Sequence, residues 1–402
     1  MVSATQLLPQ IPSDRWFYPP EIAEGLKAQD IPEQQVDEAL VCAWEYARCV
    51  IPHWTNWKRY VAFIRLVVIG TVAEFKGELV QVQRGDDILG YNVQELLDTL
   101  FLGTPGHAAM CQEFRTFILV TSEKNSKHRT HSELFRRYVN AIASAPRNWF
   151  RLRDCDGLGR WTIAVALACN DMDDVWFSED EWQILGELGL TIYDAVAFYK
   201  HRAEGETNST FAYVNPELRI EAYRMAREVL WALDAAQVTK QPAWRIIINF
   251  LRTFGGPIHM TMRRYRFVEQ GLTIGMPEDT RMVEETRKNA KLWNRMDGKE
   301  AVTHAWDETS YLSALETEEK LMFEGFGDIL RQGSAHACKD CSKNSVDLAA
   351  RQMYQFAGVH LCETCRREWD AYVRAFPHRA AEVFPVLRPL LQVVDLPARC
   401  RL

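Results

Sequence analysis

Between positions 194 and 206 the chain sets Asp194, Lys200, His201, Arg202, Glu204 and Glu206 beside Ile192, Val196, Phe198 and Tyr199. Carboxylates and an imidazole at helical spacing can approach a divalent cation. Neighbouring Lys and Arg side chains can donate to phosphate oxygens. Charges this dense among apolar residues carry a desolvation cost unless something charged meets them. A metal ion with a phosphorylated ligand would do so. Asp180, Glu187, Asp194 and His201 recur every seven residues, so they form one stripe along a helix. The plainer reading is a solvated face with ordinary ion pairs, but the interleaved apolar residues leave little room for a wide polar face.

Other residues extend this chemistry. Gly255-Gly256-Pro257 breaks a helical pattern, and Arg263-Arg264-Tyr265-Arg266 follows. Guanidinium forks suit phosphate oxygens; the competing reading is a basic helix end after a plain turn. Upstream, Glu74 ends an otherwise apolar run, and Glu78 lies four residues on. If the helix continues, both carboxylates share a face and can bind a divalent ion through oxygen. If it ends at Lys76-Gly77, they emerge into solvent. Arg147, Arg151 and Arg153 precede Asp154-Cys155-Asp156-Gly157 and offer a diphosphate-sensing arginine, assigned here to Arg151. Asn170-Asp171-Met172-Asp173-Asp174 is rich in aspartate but falls in a connecting loop. Cys338-x-x-Cys341 and Cys362-x-x-Cys365 stand twenty residues apart. That spacing suits a closed, structural four-thiolate zinc site; the alternative is four unrelated cysteines.

The elements that position these residues are helical. Apolar residues recur near i, i+3, i+4 and i+7 over 33–49, 57–75, 93–100, 107–119, 133–145, 162–168, 179–204, 217–233, 244–254, 260–268, 282–295 and 311–330. No period-2 strand pattern of useful length interrupts them. The expected class is therefore all-α, one helical bundle over 20–333 after an irregular segment at 1–19. Composition shifts at 334–402, where the cysteine pairs and a helix pattern at 366–376 form a small appendix. The chain has 402 residues and a formal net charge of -7, which gives no support to nucleic-acid binding. Its longest apolar run, Leu66 to Ala73, is too short to span a bilayer, so no stable membrane insertion is expected. No secretory pattern opens the chain, which points to the cytoplasm, where ten cysteines serve as thiols or metal ligands. Oligomeric state is left open.

The run from Tyr193 to Asn208 resembles the second metal motif of class I terpene synthases. Tyr193 takes the Asn place, Asp194 the Asp, Ala197 the Ser, Lys200 the Lys and His201 the Glu, and Gly205-Glu206 and Asn208 continue the match. All three metal-ligating positions differ while the frame survives. Arg264-Tyr265 matches the family's late Arg-Tyr pair. Over about 15–390 the chain resembles an atypical fungal group of sesquiterpene synthases of the α-ionylideneethane type, and more distantly a humulene-type synthase. Trp44 to Pro52, Asn170 to Phe177, Tyr193 to Tyr213, Phe254 to Met260, Arg263 to Phe267 and the two-CxxC tail carry this resemblance. It implies a carbon–oxygen lyase that ionises farnesyl diphosphate with Mg²⁺ and releases diphosphate and a sesquiterpene hydrocarbon. The expected product is of the α-ionylideneethane type, with a humulene-type cyclase as the alternative. The rival is a non-catalytic helical interaction protein containing zinc. On this resemblance Asp194, His201 and Glu74 are catalytic candidates. Lys200, Arg202, Arg264, Tyr265 and Arg151 bind diphosphate, and Glu74, Glu78, Asp194 and Glu204 approach magnesium. Cys338, Cys341, Cys362 and Cys365 hold structural zinc. Trp231, Phe254, Met260 and Trp306 are candidate walls for the isoprenoid.

Overall fold

The computed structural model describes residues 17–28, 30–126, 132–141, 145–198, 201, 209–212, 216–261, 307–335, 340 and 361–391. They form an all-α fold whose strands amount to a two-residue-per-strand hairpin, β1 (Asp87–Ile88) with β2 (Tyr91–Asn92). Eight helices make its first half: α1 (Glu33–Val50), α2 (Trp57–Phe75), α3 (Val93–Phe101), α4 (His107–Lys124), α5 (Glu133–Ala141), α6 (Pro146–Asp156), α7 (Gly159–Ala168) and α8 (Glu179–Val196). Then come α9 (Pro216–Gln237), α10 (Pro242–Thr253), α11 (Pro257–Thr261), α12 (Thr309–Glu316), α13 (Glu318–Leu321) and α14 (Phe326–Ala335). The C-terminal region adds α15 (Glu363–Arg374), α16 (Phe376–Val383) and α17 (Arg388–Leu391).

Local signals explain the main boundaries. Asn56 caps α2 by accepting from the Arg59 N–H, and Ser178 and Glu181 form a capping box at the start of α8. Proline opens α6, α9, α10 and α11, where its missing N–H costs nothing. Gly256, at φ +132°, makes the predicted break between α10 and α11.

Three sequence expectations change. The helix expected over 179–204 runs to Val196 and bends at Ala197, where Arg219 Nη1 also takes the Ala195 carbonyl; residues 199, 200 and 202–204 lie outside the described residues. A helical turn follows the bend, since the His201 N–H reaches the Ala197 carbonyl at 2.8 Å. The single helix over 311–330 is three short ones. Thr116 Oγ1 donates to the Leu321 carbonyl and accepts from the Phe323 N–H, which takes those groups out of a helical ladder. α6 was missed altogether because its arginines and aspartates mask the apolar Trp149, Phe150 and Leu152.

The core is one large apolar cluster running through α1–α4, α7, α8 and α10. A second cluster joins Trp149 and Phe150 of α6, Ala195 of α8 and Leu218 and Ala222 of α9 to Trp369 and Val373 of α15. The C-terminal helices are therefore packed onto the bundle. Pairings along the helices also fix their directions. Gly70 abuts Phe117 and Gly77 abuts the Ser122 backbone. Glu113 meets Arg151 and Lys124 meets Asp156. Arg147 meets Asp180 and Arg153 meets Asp194. Hence α2, α4, α6 and α8 run the same way, and their C-terminal ends gather at one end of the bundle.

Candidate active site

Each helix C-terminus presents unpaired carbonyls and about half a negative charge. Four such ends together make a place that repels an anion until cations are supplied. The sequence supplies them from α4 and α6. Lys124 Nζ lies 2.8 Å from Asp156 Oδ1, and Arg153 bridges Asp156 and Asp194.

Asp194, in the last turn of α8, is fully buried. Its Oδ1 accepts from Arg153 Nη2 at 2.7 Å. Its Oδ2 accepts from Arg153 Nε at 3.1 Å, the Thr210 N–H at 2.8 Å and Thr210 Oγ1 at 2.7 Å. Thr210 Oγ1 in turn accepts from Trp149 Nε1. Burial alone would lower the Arg153 pKa, but Asp194 and Asp156 hold it well above its ordinary value, so the guanidinium stays charged. His201 Nδ1 stands 3.8 Å from Asp194 Oδ1, and its ring is buried.

An aromatic group borders this ionic cluster. Tyr193 stacks on His259 with ring centroids 4.9 Å apart, and Phe254 meets its edge at 5.7 Å. His201 lies 5.5 Å away and the Arg153 guanidinium 5.8 Å from the same ring. Gly189 admits Phe254, since a Cβ there would stand 2.9 Å from its ring.

A second layer of charge lies behind. Arg151 binds Glu113 through two bonds of 2.8 and 2.5 Å and covers the Phe323 ring at 3.6 Å. Burial would raise the Glu113 pKa, but Arg151 holds it below the usual carboxylate value. Arg160 binds Asp154 at 2.5 Å and Glu179 at 2.7 Å. Gly186 makes room for this pair, because a Cβ there would meet the Asp154 carboxyl carbon at 2.6 Å.

The remaining candidates fall as follows. Glu74 lies in the last turn of α2, but that helix ends at Phe75 and Glu78 stands in a separate 3-10 turn, Gly77–Leu79. The shared helical face expected for them does not form, because Gly77 is pressed against the Ser122 carbonyl and the chain turns there. Both still stand at the gathered ends. Lys200, Arg202, Glu204, Arg264 and Tyr265 lie outside the described residues, as do Cys338 and Cys341. Cys362 is the N-cap of α15 and Cys365 its third residue, so two of the four thiols share one helix start. Phe254 is buried beside Tyr193, whereas Trp231 is 55% exposed under Arg227 and lines no interior wall. The side chain of Met260, and all of Trp306, lie outside the described residues. Asp171 and Asp173 clasp Thr55, Asn56 and Arg59 at the start of α2, the opposite end of the bundle.

The stripe on α8 runs from an exposed ion pair at Asp180 to buried ones at Glu187 and Asp194. Asp180 pairs with Arg147, Glu187 with Arg379 and Tyr372, and Asp194 with Arg153. Sequence reading missed Glu113 and Arg160 as parts of this layer. The signal available was a carboxylate inside an apolar helix opposite a run of arginines.

A family model described as alpha-ionylideneethane synthase aba3 matches residues 14–386. The chain belongs to the alpha-ionylideneethane synthase family. It is 53% identical over 381 residues to the alpha-ionylideneethane synthase aba3 of Botryotinia fuckeliana, covering 94% of this chain and 85% of that protein. It is 52% identical over 393 residues to the alpha-ionylideneethane synthase abl3 of Leptosphaeria maculans, covering 98% and 90%. The abl3 protein of Pyricularia oryzae is 46% identical over 434 residues, covering 93% of this chain and 83% of its own. Membership in the alpha-ionylideneethane synthase family supports a sesquiterpene synthase role, and the all-α fold agrees with it. No helix among the described residues is long and apolar enough to cross a membrane.

Proposed function

We propose that this protein converts farnesyl diphosphate, with magnesium, into diphosphate and an α-ionylideneethane-type hydrocarbon. The observation that carries the reading is the family match across residues 14–386.

The gathered helix ends support it. A diphosphate approaching four helix C-termini needs positive charge to hold it. Arg153, Lys124, Arg219 and Lys76 are among the described cations there; Lys200, Arg202, Arg264 and Tyr265 are the further donors that the sequence offers. Asp194 is held by Arg153 and Thr210 through four hydrogen bonds, so it is read as a positioning residue and not as a magnesium ligand. Oxygen donors suited to magnesium remain in Glu74 and Glu78 at the same end, with Glu204 from the following segment. When bound, magnesium supplies charge neutralisation to the departing diphosphate.

The chain's own residues do the rest. Arginine and lysine donors hold the diphosphate while its allylic C–O bond breaks. Tyr193 and Phe254 offer ring faces to the resulting carbocation. Their packing with His259 excludes water, which would otherwise trap the cation as an alcohol. His201, held beside Asp194, is the proposed acceptor of the proton lost from carbon.

Incubation of the purified protein with farnesyl diphosphate and Mg²⁺, followed by gas chromatography–mass spectrometry, tests the proposal. A hydrocarbon of the α-ionylideneethane type that disappears with EDTA is expected. A humulene-type product would move the chain to the other branch of the group. No product from folded protein would favour a non-catalytic helical protein.

A further inference from the structure

α3 and α4 are joined by the short turn 102–106, and three metal-competent donors gather there that the proposed reaction does not use. Asp98 stands in the second half of α3. His107 is the first residue of α4 and Cys111 follows one turn later, so imidazole and thiol share a face. One donor atom from each of Asp98, His107 and Cys111 lies within 4.8 Å of the others, and Asp98 Oδ1 and His107 Nε2 are 2.7 Å apart. Bonds of roughly 2.0–2.3 Å from one tetrahedral centre would span such a set after small side-chain shifts.

We propose that Asp98, His107 and Cys111 form a zinc-class metal site that clasps α3 to α4, with water in the fourth position. The cation replaces the proton shared by Asp98 and His107. Cys111 packs in the apolar core beside Arg115, and its proximity to the Asp98–His107 pair adds the third donor. The surroundings are those of a prepared ligand set. Gln94 Nε2 donates to Asp98 Oδ1 at 2.7 Å, and Gln94 Oε1 accepts from Arg115 Nη2 at 2.7 Å. Arg115, only 2% exposed at its side chain, is fixed in turn by Asp86 at 2.8 Å. Such outer hydrogen bonds orient first ligands. Cys111 is 6% exposed, whereas the His107 and Asp98 side chains are about a third exposed, which leaves a way in for the ion and its water. Mixed nitrogen, sulfur and oxygen donors select zinc or cobalt over magnesium. The site is therefore separate from the oxygen donors at the helix ends, and it can fail without touching the synthase reading.

The test is a cobalt titration of the chelator-stripped, full-length protein carrying Cys338→Ser and Cys341→Ser, which removes half of the other thiolate set. Absorption reports thiolate-to-cobalt charge transfer and tetrahedral d–d bands. One equivalent is expected, lost in Cys111→Ala and weakened at least tenfold in His107→Gln and Asp98→Asn. Melting in EDTA should be the same for parent and His107→Gln, which shows that the variant folds. A parent that binds no cobalt, or variants that bind it as the parent does, would overturn the proposal.

Discussion

Replacing the buried pair Arg153–Asp194 one side at a time, and then together, separates its structural role from its role in catalysis. The two side chains are 5% and 0% exposed. Arg153→Met leaves Asp194 charged in the interior, with Thr210 and His201 as its remaining neighbours. Breaking a buried pair this way costs about 3–5 kcal/mol. Asp194→Leu leaves Arg153 to Asp156 and strands the Thr210 N–H, so a loss of about 3–5 kcal/mol is again expected. With both changes the stranded partners are gone, and buried Asp156 loses Arg153 but keeps Lys124. The Thr210 amide still lacks its acceptor, a loss of about 1–3 kcal/mol. The cycle should therefore show a coupling of about 2 kcal/mol or more, read from urea midpoints at constant slope. At concentrations of urea where the double variant stays folded, product formation from farnesyl diphosphate should still fall by about 10²-fold if the pair positions the diphosphate end. Single variants within about 0.5 kcal/mol of the parent, or strictly additive ones, would refute the reasoning. A double variant with full activity would leave the pair a purely structural role.

His201→Gln should leave the melting temperature nearly unchanged and lower product formation by about 10²-fold, checked by gas chromatography; unchanged turnover would remove His201 as proton acceptor. Gly186→Ala sets a methyl against the Asp154 carboxylate and should cost about 1–3 kcal/mol in a denaturant melt. Glu113 has a folded pKa below its ordinary 4.5, so its contribution is complete above about 4.5 and is lost as pH falls through the depressed value. Glu113→Gln should accordingly flatten the acid limb of stability against pH, measured by urea midpoints from neutral pH downward. Trp231→Ala, at an exposed site, should change stability by no more than about 0.5 kcal/mol and leave the product unchanged.

Much of the bundle was legible because amphipathic helices announce themselves. The range predicted for α2 agrees with the structure at both ends, since Asn56 caps it and Gly77 ends it. α6 was not legible, because a helix that buries arginine and aspartate against partners on other helices shows no apolar stripe. The heptad on α8 was legible as one stripe, with a solvated face and a functional site both left open. Its partners were out of reach, because Arg147, Arg153 and Arg379 come from distant parts of the chain. Asp194 drew attention by type and position, yet type could not reveal that Thr210 and Arg153 hold it through four hydrogen bonds. The carboxylate pair at Glu74 and Glu78 failed as a helical motif for a local steric reason, the contact of Gly77 with Ser122.

Glu187 lies midway along the α8 stripe, one heptad from Asp194, and is held by Arg379 and Tyr372 from the C-terminal helices. α8 is thus a keyed shaft, its rotation and its register fixed at three levels by two stretches of sequence, α6 and the C-terminal helices. A shortened version ending before residue 363 would lose the middle key and leave a carboxylate buried without its cation. The loss would register at the far end of the shaft, where Tyr193 and Asp194 stand. Homologues that differ in tail length should therefore differ in how tightly they index this helix, and their product profiles can diverge with identical residues at the helix ends.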